Sequence, residues 1–189
     1  LGIGPLPVVN FKTRSASTMP EVPYPVRVPD LTGVKAISAG DYHSLALLDD
    51  GTVRAWGENK LGEVGDGTTT NRDRPVTVQG VRSAVAIAAG AHFSVAVLSD
   101  GTAMEWGFAV GNPAPRPVPA PVAGARGIRS VVAGGGHVVA LTQTGAVMTW
   151  GDNTHYGLGR SRNAASAPPG LVNGLTGVQS IAACDDTST

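Results

Sequence analysis

Four histidines, His43, His92, His137 and His155, are the residues of this chain best suited to acid–base or metal chemistry. His43 and His137 hold the same place in two copies of a repeated unit; His92 stands one position earlier in another copy, aligned with Tyr42. A residue repeated across copies meets the same packing problem each time, which predicts histidines that brace a turn or the edge of a core. Zinc needs three or four converging ligands, and the spacing assembles no such set. No metal site, catalytic residue or cofactor is therefore expected. His155, beside Tyr156 in a loop, is the unrepeated exception. Asp49-Asp50 and Asp100 sit where turns are expected, and neither Asp66-Gly67 nor Asp185-Asp186 has the regular acidic spacing of a calcium loop. A Gly-x-Ser-x-Gly nucleophile elbow is missing, and Gly134-Gly135-Gly136 is not followed by the Lys-Ser/Thr of a phosphate loop.

The elements that would position these residues come from a repeat. Trp56-Gly57, Trp106-Gly107 and Trp150-Gly151 each begin 16 residues after a glycine that closes an Ala-Gly pair, at Gly40, Gly90 and Gly134. A unit of this size cannot bury its own apolar face, so copies must stack, as in a β-propeller or solenoid. In the first copy Val34-Lys-Ala-Ile-Ser alternates, His43 to Leu48 is a second apolar run, and Thr52 to Trp56 is a third. Asp50-Gly51 between the last two predicts a two-residue type I′ hairpin. A glycine-rich loop, Gly57 to Asn71, leads to a fourth short strand at Pro75-Val-Thr-Val78, with proline at a strand start. Four strands per unit make one propeller blade. In the second copy the run Pro113 to Pro121 replaces the glycine-rich loop, and its prolines predict an extended, taut connector.

The expected organisation is an all-β propeller: residues 1–32 as the tail of a preceding blade, 33–82, 83–126 and 127–176 as three repeats, and 177–189 as the start of a further blade. The interval from Gly2 to Gly33 is 31 residues, against 18 from Gly65 to Ser83 and from Gly159 to Gly177. This enlarged loop (5–24) carries Phe11, Lys12, Arg14 and Tyr24, which with Arg72 and Arg74 of a charged loop are the candidate binding residues. Long loops on rigid scaffolds often carry recognition. Strands left without partners at both ends predict a piece of a longer propeller, a complementary chain, or self-association.

Composition supports many short strands and tight turns: 26 glycines and 15% charged residues, against roughly 25% charged in typical domains. Fourteen basic and fourteen acidic residues cancel, giving no excess suited to nucleic acid or an anionic membrane surface. Cys184 is alone, so no intrachain disulfide is possible. With no apolar run of about 18 residues and no signal-peptide pattern, the chain reads as soluble, its compartment unassigned.

Ala39-Gly-Asp-Tyr-His-Ser-Leu-Ala-Leu, then Asp50 to Gly57, Asn59 and Gly65-Asp-Gly-Thr68, resembles the repeat of the regulator of chromosome condensation family. The match is strong in the first and third units and weaker in the second, which lacks the Asn and Gly-Asp-Gly-Thr portion. The resemblance implies a seven-bladed propeller, of which this chain would supply roughly half. It also implies a choice among nucleotide exchange on a small GTPase, chromatin docking, scaffolding and inhibition of a secreted bacterial enzyme. No basic tail or exchange wedge matches here, and the paired cysteines of many bacterial relatives are replaced by Leu45 and Ala55. The expected function is non-enzymatic protein–protein interaction through loops of one face. An enzyme or small-molecule binder with a pocket at the channel mouth is one alternative, and an inhibitor of a secreted bacterial enzyme is another.

Overall fold

The computed structural model describes residues 25–108, 114–160 and 164–184. Among them there is no helix; the strands form three four-stranded antiparallel meanders. The first blade comprises β1 (Val34–Ala39), β2 (His43–Leu48), β3 (Val53–Gly57) and β4 (Arg72–Thr77). The second comprises β5 (Ala84–Ala89), β6 (Phe93–Leu98), β7 (Ala103–Gly107) and β8 (Arg116–Pro121). The third comprises β9 (Ile128–Ala133), β10 (His137–Thr142), β11 (Val147–Asp152) and β12 (Ser166–Leu171). In each, the strands lie side by side in chain order.

The second strand of each blade is the most apolar, and it lies in the middle of its meander. Leu45 and Ala55 are direct cross-strand partners on β2 and β3, both buried. The main core lies between sheets rather than within one, because β5 packs on β1 and β2, and β9 on β5 and β6. Leu45, Leu47, Val53 and Ala55 of the first blade share a cluster with Ile87, Ala96 and Trp106 of the second. Phe93, Val95 and Val97 of the second blade meet Val131, Val138 and Trp150 of the third in the same way. Trp56 packs on Val28 and Leu31, ahead of β1. Each tryptophan thus faces the blade that precedes it, Trp106 and Trp150 buried and Trp56 partly so.

The hairpin turns differ from the two-residue form expected at Asp50-Gly51. Gly51 N donates to Leu48 O and Leu48 N to Thr52 O, and Gly51 has φ +78° while Asp50 is not left-handed. This is a three-residue loop in which the glycine alone supplies the left-handed position. Asp50 Oδ1 accepts from both Thr52 N and Thr52 Oγ1, so the aspartate stabilises the loop through an Asx turn. Leu98 to Thr102 and Thr142 to Ala146 repeat the backbone bonds. A Cβ on Gly51 would stand 2.8 Å from Ser83 Cα; the next blade begins directly against this turn.

Two other expectations are corrected. The Arg72-Asp73-Arg74 cluster is not loop but the first half of β4, which pairs Arg72 with Gly57 across a bulge. The proline-rich run of the second copy is not a connector: Arg116–Pro121 is β8, paired to β7. Pro117, Pro119 and Pro121 fall on alternate positions, so the amides they lack share one side, and β8 is the outer strand of its sheet. An edge strand tolerates proline for that reason.

Candidate functional site

Each blade places its first turn and the segment after its third strand together. Glu58 N donates to Tyr42 O, Phe108 N to His92 O and Asp152 N to Gly136 O, at 2.8 to 2.9 Å. Ala91 N donates to Gly135 O, joining the first turns of the second and third blades. All of these segments therefore share one face, opposite the hairpin turns at Gly51, Gly101 and Gly145.

Where this face crosses from the first blade to the second, polar groups are buried. His43 lies with its ring over Gly40, where a Cβ would come 2.5 Å from His43 Cε1 and also against Gly90 O. Gly90 carries the Phe93 ring and Gly134 the His137 ring in the same manner. The repeated glycine is thus a seat for the ring three residues later. His43 Nε2 meets Ser94 Oγ at 2.9 Å, and Ser94 Oγ donates to Glu63 O. Trp106 Nε1 donates to the same carbonyl at 2.7 Å. Burial, assisted by the charge of His92 nearby, pushes the His43 imidazole down to about 4, so it is neutral at physiological pH.

The loop Glu58–Asn71 is organised by buried Asn59, whose Nδ2 donates to Asp66 Oδ1, Thr68 O and Thr70 O while its Oδ1 accepts from Val64 N. Arg72 closes the network with an ion pair to Asp66. Burial opposes ionisation of Asp66, but hydrogen bonds from Thr68 and Arg72 outweigh it and hold the carboxyl below its usual range. Of the two arginines expected to bind, Arg72 is committed to this internal pair and Arg74 is exposed. Phe11, Lys12, Arg14 and Tyr24 lie outside the described residues.

Three groups that the sequence did not bring together meet here. Ligand atoms of Glu58, Glu63 and His92 all lie within 4.8 Å of one another. Glu63 is buried; its Oε2 accepts from Leu61 N, and its Oε1 stands 3.8 Å from His92 Nδ1. About thirty residues and a blade boundary separate Glu63 from His92, so no short-range spacing signals the encounter; the only hint was that His92 breaks the histidine repeat. The face also exposes Tyr42, Phe108 and Tyr156, one from each blade. No helix among the described residues is long and apolar enough to cross a membrane.

Comparison with known proteins agrees with this geometry. The Regulator of chromosome condensation (RCC1) repeat models match residues 34–63 and 128–157, and residues 50–97. Protein RCC1 of Candida albicans is 46% identical over 43 residues, 22% of this chain and 9% of that protein. Human WBSCR16 superposes with a TM-score of 0.68 at 26% identity, over 78% of this chain and 40% of that one. Yeast RCC1 (Prp20), in its crystal structure bound to Kap60, gives 0.65 at 26%, over 78% and 38%. The chain therefore spans well under half the length of the proteins it matches. Repeat motif, meander order and blade stacking agree: the chain carries RCC1 repeats and has the fold of an RCC1-like repeat β-propeller.

Proposed function

We propose that this propeller segment is a non-enzymatic interaction module that holds a protein partner on the face bearing Tyr42, Phe108 and Tyr156. The observation that carries the reading is the placement of one exposed aromatic per blade on a single rigid face. Aromatic side chains offer large contact area at small entropic cost and dominate interface energetics. The similar yeast protein was crystallised with a protein, Kap60, which supports protein recognition by this fold. Arg74, exposed on β4, adds a cation, and the enlarged loop 5–24, with Phe11, Lys12, Arg14 and Tyr24, is proposed to extend the surface.

The test is affinity capture from the source organism with the natural protein and with a Tyr42→Ala/Phe108→Ala/Tyr156→Ala variant, followed by identification of bound proteins. A partner retained by the natural protein and lost by a variant with an unchanged melting temperature is the expected result. Equal capture by both proteins would move the interface to another face.

A further inference from the structure

Repeated residues of this chain answer a packing need common to every blade, so a polar cluster that occurs once calls for another explanation. Glu58, Glu63 and His92 form such a cluster. In the third blade the counterparts of Glu58 and Glu63 are Asp152 and Gly157, and the counterpart of His92 is Gly136. The first blade has Tyr42 at that last position.

The cluster is also built rather than incidental. The Glu63 carbonyl is gripped by Ser94 Oγ and Trp106 Nε1 from the second blade, Glu58 N is tied to Tyr42 O, and His92 O accepts from Phe108 N. All three backbones are fixed. The Glu63 side chain is only 2% exposed, and among the described residues no hydrogen bond reaches its Oε1, which faces His92 Nδ1 at 3.8 Å. A carboxylate so largely withdrawn from water is costly unless a cation serves it. Glu58 is at present paired with Lys60, whose Nζ lies 2.6 Å from Glu58 Oε1; the Lys60 side chain is 72% exposed and easily displaced.

We propose that Glu58, Glu63 and His92 form a binding site for a divalent transition-metal ion, with Zn²⁺ as the best fit, across the boundary between the first two blades. One imidazole nitrogen and two carboxylate oxygens suit a borderline ion; an all-oxygen set would suit calcium or magnesium. Bonds of about 2.0–2.2 Å hold tetrahedral zinc ligands about 3.4 Å apart, so the present separations of up to 4.8 Å must close slightly. His92, 44% exposed, and Glu58, 22% exposed, have room to rotate onto the fixed Glu63. Water completes the shell. Bound there, the ion joins two blades at the face proposed for partner binding, yet the site stands whether or not a partner docks.

The test is calorimetric titration of the chelator-treated protein with ZnCl₂ in a Cys184→Ser background, because Cys184 is an exposed thiol that would bind zinc on its own. One equivalent with a micromolar Kd is expected. His92→Ala and Glu58→Gln should each weaken it by about tenfold or more, since even residues behind a metal's ligands typically matter by 10–100-fold. Lys60→Met should tighten it by removing the competing cation, and His155→Ala should leave it unchanged. Glu58 is partly buried and His92 nearly half exposed, and the metal-free melting temperatures of both variants serve as fold controls. No binding in the Cys184→Ser protein, undiminished binding in either ligand variant, or no gain from Lys60→Met would overturn the assignment.

Discussion

The first and second blades perform the same task with different chemistry. Each must receive the indole N–H of the tryptophan in the blade that follows. The first blade has the long loop after β3, and Trp106 donates to the Glu63 backbone carbonyl that this loop presents. In the second, β7 is followed closely by β8, and Trp150 donates instead to Glu105 Oε2, a side chain on β7 itself, at 3.0 Å. A backbone acceptor requires an ordered loop but carries no charge. A carboxylate dispenses with the loop and must be desolvated: burial pushes the Glu105 carboxyl up, against the pull of Trp150 and Arg116. The seat before each tryptophan is therefore defined by geometry, and the sequence is free to fill it from either source.

The strongest way to break this comparison is to remove the indole. Trp106→Ala should cost about 3–5 kcal/mol, the range for a fully buried large aromatic, and Trp56→Ala less, because Trp56 is only partly buried. Urea unfolding of both variants checks the order; equal losses would contradict the packing described.

His43 separates the same two blades by pH, since the second blade places Phe93 where the first has His43. An imidazole with an ordinary value of 6.5 is held at about 4 in the fold. The unfolded chain thus takes up its proton first as pH falls. Stability conferred by neutral His43 should decline from about pH 6.5 to about 4 and level off below, by up to ~3 kcal/mol in total. Denaturation midpoints across that window, compared with those of His43→Phe, isolate this contribution; parallel curves would refute it.

A smaller effect sharpens the acceptor comparison. Glu105→Ala leaves the Trp150 N–H without its partner and should cost about 1–3 kcal/mol, whereas Glu105→Gln retains an acceptor and should cost less. Thermal unfolding of the two variants distinguishes hydrogen bonding from charge. Smallest of all, Ser83 occupies a left-handed position, φ +55°, where the corresponding Gly33, Gly127 and Gly177 lie at +65° to +67°. Ser83→Gly should stabilise by about 1 kcal/mol or less, relief of the side-chain strain being partly offset by greater freedom of the unfolded chain. A lower melting temperature for this variant would show that Ser83 contributes more than its backbone suggests.

Much of the scaffold was legible because its signals are local. Alternating runs, Asp-Gly turns and the constant interval from Ala-Gly to Trp-Gly each depend on neighbours a few residues apart, and the three meanders follow them. Proline misled at β8, because its usual exclusion from sheets does not apply to an outer strand. The turn type at Asp50-Gly51 was misjudged because a lone glycine satisfies a three-residue loop as readily as a two-residue one. Arg72 was read as a free charge when Asp66, six residues earlier, already holds it. The meeting of Glu63 with His92 was invisible for a deeper reason: it is created by the stacking of two blades, and no pattern within either one encodes it.

The hairpin face has a consequence for how such chains grow and diversify. Ala84 N donates to Gly51 O, Ile128 N to Gly101 O and Val178 N to Gly145 O, so each blade is joined to the next by the same main-chain hydrogen bond at this end. A coupling made of main chain is indifferent to side-chain identity, and a duplicated or exchanged repeat brings a compatible connector with it. Length varies at the opposite rim, where the connection after the third strand is fourteen residues in the first blade and eight in the second while the order of the blades is preserved.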